Sequence, residues 1–102
     1  MIRECHLAEI DRVNNALCKH FGIEVQDMKA KNKNRLCSMV KSYALYYLHN
    51  EKGLSASVLS MAYKLHRRVV FGHISKIGGY ITIYSTMREE YQNLCDILSE
   101  NE

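Results

Sequence analysis

The densest chemistry in this chain is the cationic run His66-Arg67-Arg68, which stands where an apolar-periodic segment begins. A helix N-terminus is the positive end of the peptide dipole, so cations in its first turn are opposed by about 0.3–1 kcal/mol each. An anion docked on that turn reverses the sign, and phosphate oxygens suit such a terminus well. Other cations surround the run: Lys31, Lys33 and Arg35 in a polar stretch, then Lys41, Lys64 and Lys76. Across residues 29–76 ten Lys and Arg face the single acid Glu51, whereas residues 1–28 carry three basic against five acidic side chains. Residues 77–102 hold Arg88 against five acids, and the chain totals +3. A solvated basic surface is the simpler reading of any charge run. The near absence of acids over so long a stretch favours a polyanionic partner instead.

Other chemistries find little support. The four cysteines, Cys5, Cys18, Cys37 and Cys95, form no C-x-x-C pair, and no histidine repeats a zinc-ligand spacing around them. Cys18-Lys19-His20 comes nearest to a metal motif but reads as ordinary residues late in a helix. Reduced thiols packed as small apolar groups are expected. No Ser/His/Asp or Cys/His set shares a local context, no paired carboxylates stand in an apolar setting, and no G-x-x-x-x-G-K-[ST] loop occurs. Neither catalysis, cofactor nor metal is expected. No apolar run approaches the ~18–20 residues of a membrane span. The opening residues lack a secretory pattern, so a cytoplasmic protein without a membrane partner is expected.

The elements that must position the cations follow from apolar spacing. With no proline and five glycines, the composition favours long helices. Leu7, Ile10, Val13 or Asn14, Leu17 and Phe21 predict a first helix over about 7–20, closed by Gly22. Ile23 to Met28 reads as a turn or helical stub. Leu36, Val40, Tyr43, Ala44, Tyr47 and Leu48 form one stripe, which leaves Lys41 facing solvent or a ligand. Ser55 caps a short helix burying Val58, Leu59 and Ala62. Tyr63-Lys64-Leu65 is a turn, and a further helix runs from about His66 to Ile77, burying Val70, Ile74 and Ile77. Gly78-Gly79 is expected to stop it. Tyr80 to Tyr84 alternates as a strand would, but a lone strand has no pairing partner, so an extended or helical connector is expected. Thr86-x-x-Glu89 reads as a capping box opening a last helix, with Met87, Tyr91, Leu94 or Cys95, and Leu98 inward.

Individual residues are assigned on the same logic. Seven tyrosines invite a base-stacking reading, yet Tyr43, Tyr47 and Tyr91 fit core stripes, and only Tyr46 is freer. His49 and His73 are expected to be exposed. Gly72, inside the helix, costs about 1 kcal/mol against alanine and suits close approach of another helix or of a DNA backbone.

Helix, short helix, turn and helix over about 36–77 is a helix-turn-helix layout, with a recognition helix over about 66–77. Here the chain resembles the C-terminal DNA-binding domain of the bacterial replication initiator DnaA, a Trp-repressor-like helix-turn-helix. Phe21-Gly22-Ile23-Glu24-Val25-Gln26-Asp27-Met28 is similar to the family's aromatic-G-I-x-V-x-D-L stretch. The basic loop, Ala44 to Leu48, Gly53-Leu54-Ser55, Lys76-Ile77 and Met87 to Leu94 continue the likeness. It covers roughly residues 8 to 98, with a one-residue shortening near Tyr63-Lys64. The resemblance implies that Arg35 enters a minor groove and that Lys41 contacts phosphate. The family signature Phe-Gly-Gly-Arg-Asp-His-Thr-Thr-Val is degenerate here, reading Tyr63-Lys64-Leu65-His66-Arg67-Arg68-Val69-Val70. Readout of the family's usual box is therefore not expected. By the general major-groove code, Arg67 and Arg68 suit guanine edges and Val69 a thymine methyl.

The expectation is an all-α single domain over 1–102, of five to six helices around a central helix-turn-helix. Its expected partner is double-stranded DNA, in replication or transcription control. The DNA-contacting residues would be Lys31, Lys33, Arg35, Lys41, Lys64, His66, Arg67, Arg68, Val69 and Lys76. The alternative is a protein-interaction module that keeps the fold, with the apolar Tyr80–Tyr84 segment docking a partner or a second copy. A third reading is structured-RNA binding through the same face.

Overall fold

The computed structural model describes residues 4–29 and 35–100, and all regular structure among them is helical. Six helices follow in order: α1 Glu4–Phe21, α2 Val25–Lys29, α3 Arg35–Asn50, α4 Ala56–Tyr63, α5 Arg67–Ile83 and α6 Ser85–Glu100. Lys31 and Lys33 lie outside the described residues. No helix among the described residues is long and apolar enough to cross a membrane.

The central element is α3, against which α1, α2 and α5 pack, while α6 lies on α5 and α1. Its stripe Val40, Tyr43, Ala44, Tyr47 and Leu48 is buried, as is Leu45. Ile10, Val13 and Leu17 of α1, Met28 of α2, Val70, Ile77 and Ile81 of α5, and Leu94 and Leu98 of α6 complete the core. Ile74, expected inward on α5, is half-covered at its edge. Phe21, Tyr43 and Tyr91 stack in a row, with ring centroids 6.4 and 6.2 Å apart. Because α3 is enclosed on several sides, positions off its apolar stripe are covered as well. Lys41 is one of them at 8% exposure, contrary to the expectation that it faces solvent or a ligand. Leu7 and Leu36 depart in the opposite sense: both sit in first turns and are exposed.

Caps define the ends. Gly22 adopts φ +71°, and Ile23 N–H donates back to the Cys18 carbonyl at 2.9 Å, closing α1. Ser55 caps α4 as expected, its Oγ accepting from Val58 N–H at 3.2 Å. Of the residues expected inward on α4, Leu59 is buried while Val58 and Ala62 are half-covered; Ala56 and Tyr63 complete the face. Asn14, fully buried on α1, accepts a hydrogen bond from the Tyr63 hydroxyl and ties α4 to α1.

The expected stop at Gly78-Gly79 does not occur: α5 continues through both glycines to Ile83. Each glycine costs about 1 kcal/mol against alanine in a helix. Burial of Ile77 and Ile81 on either side, about 1.5–3 kcal/mol apiece, outweighs that. Gly78 also lies against the Tyr46 ring, where a Cβ would stand 3.1 Å from Cε2. The helix ends one residue before α6, at extended Tyr84. Arg88 then bonds the Ile81 and Thr82 carbonyls at 3.2 and 2.6 Å, a cation on the negative helix end. Since α6 already starts at Ser85, Thr86 is not its cap, and no Thr86–Glu89 capping pair forms.

Candidate nucleic-acid interface

The expected contacts among the described residues lie on the first half of α3, in the turn between α4 and α5, and on the exposed side of α5. Between α4 and α5 lie Lys64, Leu65 and His66. Lys64 takes the left-handed conformation (φ 54°, ψ 46°), with its N–H and that of Leu65 both donating to the Ser60 carbonyl. A non-glycine residue there is strained by about 1–2 kcal/mol. His66 is the N-cap of α5: its Nδ1 accepts from the Arg68 N–H at 3.1 Å. The turn is thus fixed at both ends, and Tyr63 anchors it to α1 from below.

Val70, Ile77 and Ile81 turn inward and leave a continuous outer face on α5. Arg67, Arg68, Gly72, Ser75 and Lys76 are exposed there, with Val69 at 44% and Phe71 at 50%. Neither α3, α4 nor α5 contains an acid. Arg67, Arg68, Lys64 and Lys76 make no ion pair among the described residues; Lys76 lies instead over the Tyr80 ring, 5.9 Å from its centroid. The lone acid of the middle stretch, Glu51, is turned toward α6, where the Tyr91 hydroxyl lies 3.4 Å away.

Between the start of α3 and α5 runs a groove in two parts. One, of about 270 Å³, is lined by Ser38, Val69, Gly72, His73 and Lys76. The other, of about 420 Å³, is lined by Arg35, Ser38, Met39, Ser42, Lys76, Ile77, Tyr80 and Met87. Ser38 and Lys76 border both, so Arg35, Lys76 and Val69 share one surface. The Ser42 hydroxyl donates to the Ser38 carbonyl at 3.0 Å and lies 2.7 Å from His73 Nδ1. With its proton so committed, Ser42 accepts from Nδ1–H, leaving Nε2 as the nitrogen with a free lone pair. Burial, followed by the charges of Lys41 and Lys76, holds the His73 imidazole below its ordinary 6.5.

Lys41 sits beside this groove with its stem covered. Burial lowers its pKa, opposed by the nearby Cys37 thiol. It adds, after burial and together with Lys76, to the lowering of the His73 pKa, and it is not an open contact. The expected exposure of His73 and His49 is also corrected. Both are half-buried, and His49 Nδ1 lies 2.9 Å from the Leu54 carbonyl. Ser38, Ser42 and His73 are not among the residues expected from the sequence to contact DNA. Their signal is the i, i+4 pair of serines on the α3 side that meets α5, legible only once the helices are docked.

A larger depression of about 630 Å³ lies elsewhere, lined by Arg12, Asn15, Ala16, Lys19, His20 and Ile97 on α1 and α6. Its Arg12 is already engaged by Glu9 at 2.6 Å and by the Leu98 carbonyl at 2.7 Å. Cys18, Cys37 and Cys95 are free thiols, and no group of three potential metal ligands occurs among the described residues. Comparison with protein-family models, curated proteins and solved structures gives no match to this chain.

Proposed function

We propose that this chain carries a double-stranded-DNA-binding module of helix-turn-helix type, reading DNA with the first turns of α5. One observation carries the reading: an acid-free outer face on α5 whose Arg67 and Arg68 make no ion pair among the described residues at a positively polarised helix start. A fold gains nothing from cations at that end unless an anion meets them. Arg35 and Lys76 on the adjoining groove extend the same surface to the start of α3. The resemblance to the initiator domain accords with this layout. With the family's signature degenerate, Arg67, Arg68 and Val69 are proposed to read bases in place of the family's residues. A role in replication or transcription control belongs to the same proposal.

The test is fluorescence anisotropy with a labelled duplex at several salt concentrations. About five neutralised phosphates give a slope of log K against log salt of about −4 to −5. Affinity indifferent to salt sinks the reading. The interaction-module alternative draws on Ile83, 72% exposed, beside exposed Tyr80 and Tyr84 at the far end of α5. It predicts weak, salt-insensitive DNA binding and concentration-dependent self-association or partner capture through that end. Competition between RNA and DNA duplexes separates the remaining reading.

A further inference from the structure

We propose that the depression floored by Gly72 seats one backbone phosphate of the bound duplex, with Lys76, Ser38 and His73 as its donors. This rests on the DNA reading and adds a phosphate site to it. Val69, Gly72, His73 and Lys76 fall at i, i+3, i+4 and i+7, a single stripe along α5, and Ser38 of α3 faces that stripe across the depression. Gly72 is exposed, and a Cβ built on it meets nothing within 4 Å. No neighbour among the described residues approaches the missing side chain, which excludes packing against another of the described helices as the reason for glycine. What the missing Cβ provides is an open floor beside a lysine, a hydroxyl and an imidazole, with no carboxylate bordering it among the described residues.

His73 gives the seat a signature. Its Nδ1–H is committed to Ser42, so Nε2 is the edge left for a ligand. The charges acting on it are Lys41 from α3 and Lys76 from its own helix, both cationic, and with burial they keep it neutral in the free protein near pH 7. A phosphate at the seat supplies the opposite charge and favours the protonated ring, which then donates from Nε2. Binding takes up a proton there, so affinity rises as the solution is acidified from neutral.

The decisive variant is Gly72→Ala, measured twice. Alanine suits a helix interior better than glycine, so Tm is expected to rise by roughly 2–6 °C. The added methyl group fills the floor of the seat. Duplex affinity is expected to fall about five- to ten-fold, and the salt slope to shrink by about one, as for one phosphate fewer neutralised. A more stable protein that binds less well is an outcome no purely structural role produces. His73→Asn, which keeps a donor toward Ser42 and removes Nε2, is expected to abolish the part of the acid-side affinity gain that belongs to this ring. Wild-type affinity and salt slope in Gly72→Ala overturn the seat. If Arg67→Ala/Arg68→Ala still loses binding, the DNA reading survives that result. Absence of salt-dependent duplex binding by the unaltered protein removes both.

Discussion

Two faces of this molecule carry similar cations and use them differently. On the α1 side, Arg12 bonds Glu9 at 2.6 Å and the Leu98 carbonyl at 2.7 Å, and Lys52 reaches Glu9 at 3.5 Å. Those cations hold α1 against α6 and the α3–α4 turn. On the α5 side, Arg67, Arg68 and Lys64 find no acid among the described residues, because none of α3, α4 and α5 contains one. The first face turns charge into internal structure; the second leaves it available. Net charge does not distinguish them, since +3 is unremarkable for a chain of this size. Partnering does.

The sharpest way to break the comparison is to delete the cations of the α5 turn together. Arg67→Ala/Arg68→Ala is expected to weaken duplex binding by about 1–3 kcal/mol for each base no longer read, with Tm nearly unchanged. Removing two cations from a helix start even relieves the dipole slightly. Arg12→Ala should do the reverse. It is expected to cost about 1–2 kcal/mol of stability as its ion pair and carbonyl bond disappear, while DNA affinity stays put. Acid titration tests the cause. Hydrogen bonding and then charge from Arg12, with help from Lys52, hold the Glu9 carboxyl below its ordinary 4.5 against the opposing effect of burial. That contribution is present above pH 4.5 and lost as pH falls through the lowered folded value. The stability gap between the two proteins should therefore narrow in acid; a gap independent of pH would mean that packing by the arginine stem carries the effect.

A gentler probe sits between the two helices of the turn. Lys64 holds a left-handed conformation that glycine adopts freely. Lys64→Gly relieves about 1 kcal/mol of strain, offset in part by the greater entropy of the unfolded chain. It also removes one cation from the interface. Stability is expected to hold or rise while affinity falls with a smaller salt slope. A variant that loses stability would show that the Lys64 stem packs on its surroundings.

The helices themselves are readable because their apolar spacing coincides with what the neighbours bury. Val40, Tyr43, Ala44, Tyr47 and Leu48 announce α3, and Ser55 announces α4, with no tertiary information. What misleads is local chemistry overruled by packing. Gly78-Gly79 reads as a stop, yet Ile77 and Ile81 secure the helix across it. Lys41 reads as exposed because a lysine off an apolar stripe usually is, but α3 is enclosed on more than one side. At the site, the cations are visible by type and spacing. The Ser38–Ser42–His73 arrangement is not, since it joins residues 31 apart in sequence through the docking of α5 on α3. The loop residues Lys31 and Lys33 fall outside the described residues, so their place on this surface rests on the sequence alone.

The smallest expected effects separate the glycines that helix α5 is able to absorb. Gly79 has nothing within 4 Å of a built Cβ. Gly79→Ala should gain about 0.4–1 kcal/mol from reduced unfolded-state freedom and better helix propensity. At Gly78 the same methyl would stand 3.1 Å from Tyr46 Cε2. That ring is held edge-on to Tyr91, with centroids 5.0 Å apart, so it has little room to retreat. The propensity gain at Gly78→Ala is then offset by the cost of moving Tyr46, and the net change should be near zero or a small loss. Urea melts of the two variants, with duplex binding as a control, read the difference directly. Equal stabilisation would mean that the packing of α3 on α5 is slack. The distinction matters for the interface, because the groove between Arg35 and Lys76 keeps its width only if α5 is held firmly to α3 there.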